Sequence, residues 1–253
     1  MENMKHTFLA ITLLAAALCG CTPKEQTMLI EAGNIKVTTT DRNDGAARVR
    51  AILERDKAYI DSIKSPVLGE AAVALEKYIP ESPLMNFAAD ALMEMAQQHS
   101  KEKIDIAITN KGGLRSNIAA GTITFGDVYN VFTFENRLAF LTLEGEQLTQ
   151  LCREIAKVGG EAICGMRLEI TKDGELVGAT VGGKAIEPQR AYRIATLDYL
   201  SQGNDNLTTL AQGSNLVVTN HLLRDLMGEY IKKQTADGKK ISAACDGRIT
   251  IKD

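Results

Sequence analysis

Apolar residues recur at helical spacing from Asp44 onward: Val49, Ile52, Leu53, Ile60 and Ile63 fall on one side, and Pro66 ends the run. A second helix is predicted from about Ser82. Pro83 sits in its first turn, where a missing N–H costs nothing, and Leu84, Phe87, Ala88, Ala91 and Met95 form its apolar face. Residues 104–109 read as a buried strand. Asn110-Lys111-Gly112-Gly113 then forces a turn, since adjacent glycines allow positive φ and close backbone approach. A short helix is expected near 125–131, a strand over 138–143 and a helix from Glu144 through Ile155. Residues 163–170 and 175–181 read as a hairpin around Asp173-Gly174. A strand over 193–197 runs into a polar loop, 201–206. The last helix is predicted over 219–233, with Asn220-His221 at its start, and 247–252 closes the chain as a strand. Residues 29–39, rich in β-branched side chains, could add another strand. Helices and strands mix without strict βαβ alternation. The prediction is one α+β domain over 29–253, with a mixed β-sheet and flanking helices.

The N-terminus carries a different pattern. Lys5 and His6 precede an uncharged, mostly apolar run, Thr7 to Gly20. A membrane-spanning helix needs about 20 apolar residues, so residues 1–20 read as a signal peptide. The run ends Leu18-Cys19-Gly20-Cys21, which resembles the bacterial lipobox, with Cys21 as the lipidated residue and Cys19 where a smaller residue is usual. An ordinary secretory signal cut nearby is the alternative. With lipidation, 21–28 becomes a polar tether. The chain is then expected to be exported and lipid-anchored in the bacterial cell envelope, at the outer membrane facing the periplasm, touching membrane through the anchor only.

Formal charge is −3, from 29 Lys+Arg against 32 Asp+Glu. That balance gives no basic face for nucleic acid. Apolar residues make up 45% of the chain, which excludes a disordered composition. Aromatics are only 5%, so a loop aromatic is informative. Three histidines (His6, His99, His221) are too few for a His-rich dimetal centre. Cys152 falls on a helix face with Leu148, Leu151 and Ile155, and Cys164 alternates with Met166, Leu168 and Ile170. Both read as small core residues, with a disulfide as the alternative.

Five segments, in order, carry a resemblance. They are Glu81-Ser82-Pro83-Leu84-Met85-Asn86 with Asp90-Ala91; Asn110-Lys111-Gly112-Gly113-Leu114-Arg115; Ala120-Gly121-Thr122-Ile123-Thr124-Phe125-Gly126-Asp127; Phe132-Thr133-Phe134-Glu135-Asn136; and Asp198-Tyr199-Leu200-Ser201-Gln202-Gly203-Asn204-Asp205-Asn206. Together they resemble the C-terminal, substrate-binding domain of the 5′-nucleotidases over about residues 44–250. Met85, Asn204 and Asn206 stand where that pattern has glycine, and Pro80 or its neighbours where it has arginine.

The resemblance implies a nucleotide or nucleoside ligand. Phe134 and Tyr199 match the two aromatics that sandwich the base, Asn110 an amide that contacts it, and Arg115 a guanidinium on the ribose or phosphate side. Asn136 matches a further polar contact, and Asp205 the carboxylate that accepts from ribose hydroxyls. Each has a plainer reading: Phe134 as core, Arg115 as a brace for its own glycine loop, Asp205 as a turn former, and Asn110 as a cap. The full enzymes add a metallophosphatase domain with Asp-x-His and Asn-His ligands; this sequence has no Asp-x-His and no Asn-His-Asp or Asn-His-Glu, and its Asn220-His221 has no further histidine nearby in sequence. No catalytic residue, metal or cofactor is therefore expected in this chain. Divalent metals are expected only in a separately encoded metallophosphatase partner. The alternative is a non-enzymatic nucleoside-binding or scaffold lipoprotein of the envelope.

Overall fold

The computed structural model describes residues 44–252. The signal peptide, Cys21, the tether and the strand expected at 29–39 lie outside the described residues. Residues from Ala51 onward form one compact unit, and of the unit before it only the first turns of a helix are described.

The chain is α+β, as its pattern predicts. Its helices are α1 (Asp44–Lys64), α2 (Pro83–Gln98), α3 (Phe125–Val131), α4 (Gly145–Lys157) and α5 (Leu223–Ala236). Its strands are β1 (Val67–Ala71), β2 (Ile106–Thr109), β3 (Gly121–Thr124), β4 (Arg137–Glu144), β5 (Ala162–Cys164) and β6 (Met166–Thr171). They continue with β7 (Leu176–Val181), β8 (Lys184–Ala185), β9 (Ala191–Leu197), β10 (Ser214–Leu222) and β11 (Ile249–Lys252).

The central sheet has the order β10-β4-β9-β2-β5. It is mixed: β2 runs parallel to β9, and the other pairs are antiparallel. A four-stranded sheet, β11-β6-β7-β8, and a small β1-β3 pair complete the fold. Helix α2 packs on β2 and β5, and α4 lies against β4, β6 and β7.

Local chemistry explains the helix starts. The Ser82 hydroxyl accepts from the Met85 N–H at 3.3 Å, with Pro83 next in the chain. Leu84, Phe87, Ala88, Ala91 and Met95 are all buried, as their spacing requires. Thr124 and Asp127 cap α3 reciprocally, and Glu144 and Gln147 do so for α4. Leu92 of α2 is fully buried, and its truncation to Ala would cost about 2–5 kcal/mol.

Three expectations are corrected, and one expected helix proves to carry an uncovered apolar face. The run 163–170 is not one strand. Gly165, at φ 85°, breaks it into β5 of the central sheet and β6 of the second sheet. A Cβ there would stand 2.1 Å from the Asp105 carbonyl oxygen. Cys164 is therefore half-buried in a different sheet from Met166, Leu168 and Ile170. Residues 214–222 form an edge strand, so Asn220 and His221 end β10 rather than open α5, and the His221 ring stacks on His99 at 3.9 Å. Gly112 and Gly113 form a 3-10 turn with Lys111 and do not use positive φ. The apolar stripe of α1 is exposed, with Ile52, Leu53, Ile60 and Ile63 all 45% or more accessible.

Candidate functional site

Sheet topology brings three loops to one edge. Strands β2 and β9 are parallel neighbours, so the loops after both leave on the same side. Strand β4 is antiparallel to β9, pairing Leu138 with Leu197, so the turn that enters β4 lies there too. The first loop carries Asn110 and Arg115, the turn before β4 carries Phe134 and Asn136, and the loop after β9 carries Tyr199 and Asp205. All six residues predicted from sequence, with Gly112, line one cleft of about 310 Å³.

Asp205 is its hub. The Asn110 amide donates to one carboxylate oxygen at 2.6 Å, and the Tyr199 hydroxyl donates to the other at 2.8 Å. That second bond raises the Tyr199 phenol above its ordinary value, which keeps it a protonated donor. Asp205 and Asn206 adopt φ of 56° and 63°, a region that short polar side chains tolerate better than others do. This explains how asparagine and aspartate occupy a turn that glycine would suit.

The glycines before Arg115 act through proximity. A Cβ on Gly113 would lie 2.7 Å from Asn110 Oδ1, and one on Gly112 would lie 3.3 Å from Asp205 Oδ2. Bare backbone is what lets the Asn110 side chain fold over its own turn and reach the carboxylate. Asn110 is only 4% exposed, and its Oδ1 has no hydrogen-bond partner among the described residues.

Arg115 braces its own glycine loop and also lines the cleft. It donates to the Gly112 carbonyl at 3.3 Å, and its guanidinium lies 6.0 Å from the Phe134 ring centroid, at the edge of cation–π range. Phe134 is 51% exposed and Tyr199 38%, so neither ring is core. An exposed aromatic in a loop of a chain with few aromatics is an available stacking surface.

Supporting residues lie behind this lining. The Asp198 carboxylate accepts from the backbone N–H groups of Arg137 and Tyr199 at 2.9 and 2.8 Å, tying the β4 and β9 loops together. Asn204 Nδ2 donates to the Tyr199 carbonyl at 2.7 Å. Lys111 Nζ reaches Glu161 Oε1 at 3.0 Å and the carbonyls of Val158 and Gly160 at 2.9 and 2.8 Å. Glu161 also accepts from the Lys111 backbone N–H. Burial pushes the Glu161 carboxyl above the usual range, against the opposing pull of Lys111. The turn before β4 is held from α5: Leu223 N–H donates to the Asn136 carbonyl at 2.8 Å and Arg224 to that of Thr133 at 3.3 Å. Sequence reasoning missed Lys111 and Glu161 as a pair. The available signal was an acid directly after Gly159-Gly160, at the mouth of an apolar strand.

Among the described residues no group of three or more His, Cys, Asp or Glu is placed to hold a metal ion. The cleft offers one carboxylate, one guanidinium, amides and two rings, a set suited to binding a flat polar ligand.

A profile described as "5′-nucleotidase, C-terminal domain" matches residues 63–212. The trifunctional nucleotide phosphoesterase protein YfkN of Bacillus subtilis is 30% identical over 217 residues, covering 78% of this chain and 14% of that protein. Protein UshA of Escherichia coli is 25% identical over 145 residues, covering 56% of this chain and 26% of that protein. The solved 5′-nucleotidase precursor of Thermus thermophilus superposes with a TM-score of 0.67 at 23% identity, over 81% of this chain and 42% of that one. The NAD nucleotidase of Haemophilus influenzae gives a TM-score of 0.58 at 20% identity, over 82% and 42%. The matched stretch thus spans less than half the length of each of these relatives.

Proposed function

Because this chain belongs to the 5′-nucleotidase C-terminal domain family, we propose that its cleft holds the base and ribose of a nucleotide or nucleoside for a separately encoded metallophosphatase. The observation that carries this reading is the convergence of Asn110, Arg115, Phe134, Asn136, Tyr199 and Asp205 on one cleft from three separate loops. Opposed aromatic faces grip any base with little sequence preference, at about 1–3 kcal/mol per stacked base. The Asp205 carboxylate accepts from sugar hydroxyls, and the Arg115 fork suits oxygens on the phosphate side. Metal ions on the partner would activate water against the phosphate. This chain's own contribution is to orient the substrate, which turns a bimolecular encounter into a positioned one.

Hydrolysis of AMP by this chain, with and without a candidate metallophosphatase, tests the reading. The expected result is no turnover alone and turnover on mixing. Failure of the mixture, together with no heat of binding for any nucleoside, would sink it.

The same proposal places the chain in the cell envelope through a lipid on Cys21, on the strength of the apolar run and Leu18-Cys19-Gly20-Cys21. Incorporation of labelled palmitate by wild type but not by Cys21→Ser is expected. Equal labelling of both would refute it.

A further inference from the structure

Helix α1 has the sequence of a packed helix and the exposure of a free one. From Ala51 to Ile63 every side chain is exposed, including the apolar stripe of Ile52, Leu53, Ile60 and Ile63. A helix in a folded protein draws most of its stability from packing such a face. The stripe runs about 17 Å at 1.5 Å per residue. Its C-terminal end opens into a cavity of about 460 Å³, outside the nucleoside cleft, that Ile60, Ile63 and Lys64 line together with residues of α3 and α5.

Charge in that cavity is unbalanced. Arg224 is 8% exposed, has no carboxylate in ion-pair range among the described residues, and keeps a buried Nε without a hydrogen-bond partner there. Its guanidinium lies 4.4 Å from the Tyr129 ring centroid, and the Lys64 ammonium lies 5.3 Å from the same centroid. Lys64 makes no hydrogen bond or ion pair among the described residues. Asp225, the one acid in the lining, sits in the first turn of α5, where the helix dipole already favours it. A nearly buried cation held by a ring and a carbonyl gains from an incoming anion.

The cavity shares a support with the cleft. Arg224 donates to the Thr133 carbonyl and Leu223 to that of Asn136, so the start of α5 holds the turn that carries Phe134. A body seated on the stripe therefore stands beside the cleft. A second copy suits the stripe badly. Antiparallel pairing that faces Ile52 to Ile60 sets Asp56 against Asp56 and Lys64 against Arg48, like charge against like.

We propose that α1 and the cavity at its C-terminal end form the docking face for the separately encoded metallophosphatase, which presents an apolar ridge ending in a carboxylate that reaches Lys64 and Arg224. This rests on the two-chain reading of the cleft. It adds the surface, its polarity and the side chains responsible.

Sedimentation of the full chain mixed with the candidate metallophosphatase provides the test, with nucleoside calorimetry and thermal melts of the unmixed chain alongside. Wild type is expected to form a complex that weakens as salt rises. Ile60→Asp combined with Ile63→Asp is expected to weaken it about thirtyfold or more, the scale of an interface hot spot. Lys64→Glu is expected to weaken it about tenfold and to flatten its salt dependence. Neither variant is expected to change nucleoside affinity or melting. Full association by either variant overturns the docking face. A lowered melt in the unmixed double variant also overturns it, by showing the stripe covered within the chain, and so does a self-complex that this variant dissolves. Nucleoside binding by wild type without any complex removes the docking face and leaves the nucleoside cleft standing. A complex without nucleoside binding does the reverse.

Discussion

Lys111 and Glu161 meet as an ion pair of 3.0 Å directly behind the cleft, with the Glu161 side chain only 3% exposed. The pair fixes the turn that carries Asn110 to the start of β5. Removing one partner of a buried pair leaves a desolvated charge, at a cost of about 3–5 kcal/mol. Glu161→Ala is therefore expected to lower unfolding free energy by about 3 kcal/mol in urea titrations. A loss under about 0.5 kcal/mol would show that the pair is solvated.

The same carboxyl predicts a pH dependence. Its folded pKa lies above the usual 4.5, so the folded state binds its proton more tightly than the unfolded state does. The stability it contributes is fully present below 4.5 and is lost as pH rises through the folded value. Glu161→Gln cannot titrate. The stability of wild type relative to Glu161→Gln should therefore fall as pH rises across that window. A difference that is flat or rises with pH would contradict the assignment.

Phe134→Ala and Tyr199→Ala each remove one ring while leaving the core intact. Each is expected to weaken nucleoside binding by about 1–3 kcal/mol, roughly 5- to 150-fold. Stability should change by no more than about 0.5 kcal/mol, as for other exposed positions. Calorimetry and thermal melts read the two effects separately. Unfolding of either variant would assign the ring to the core.

Gly113→Ala tests proximity without touching a lining residue. Its Cβ would crowd Asn110 Oδ1 and displace the amide from Asp205. An affinity loss of about tenfold is expected, comparable to one charge-assisted hydrogen bond. Unchanged affinity would mean that Asn110 does not need its present rotamer.

Thiol labelling separates the three described cysteines. Burial pushes Cys152 and Cys164 up to about 12, so both stay protonated at pH 8. Cys245 is exposed, near the Tyr78 hydroxyl at 3.5 Å. Peptide mapping after brief treatment with a maleimide should find label at Cys245 and at neither of the other two until urea is added. Native labelling of Cys152 would place it outside the core.

What the sequence disclosed followed burial. Helix α2 was legible because Ser82, Pro83 and an apolar face all agree, and every residue of that face is buried. The cleft was legible through the resemblance carried by its loop motifs, because each residue taken alone has a plainer reading as core, brace, turn former or cap. Strand β10 was hidden. Most of its residues are exposed and its pairing with β4 is interrupted by irregularities, so no alternation marks it. The hairpin strand was mistaken for one piece because Cys164, Met166 and Leu168 keep period two straight across Gly165, where the backbone turns into another sheet. Apolar spacing in α1 identified the helix correctly, but spacing does not say whether a face is covered. The Lys111–Glu161 pair joins residues 50 apart, a relation that no local pattern encodes.

The three loops of the cleft have a consequence for folding cooperativity. Asn110 and Asp205 are 95 residues apart in the chain, and Phe134 belongs to a third segment between them. A ligand touching all three acts as a transient cross-link, restraining openings of the central sheet that would otherwise release one loop at a time. Amide exchange in β2 and β9, beside the cleft, should slow with occupancy, while β7, in the second sheet, exchanges at its own pace.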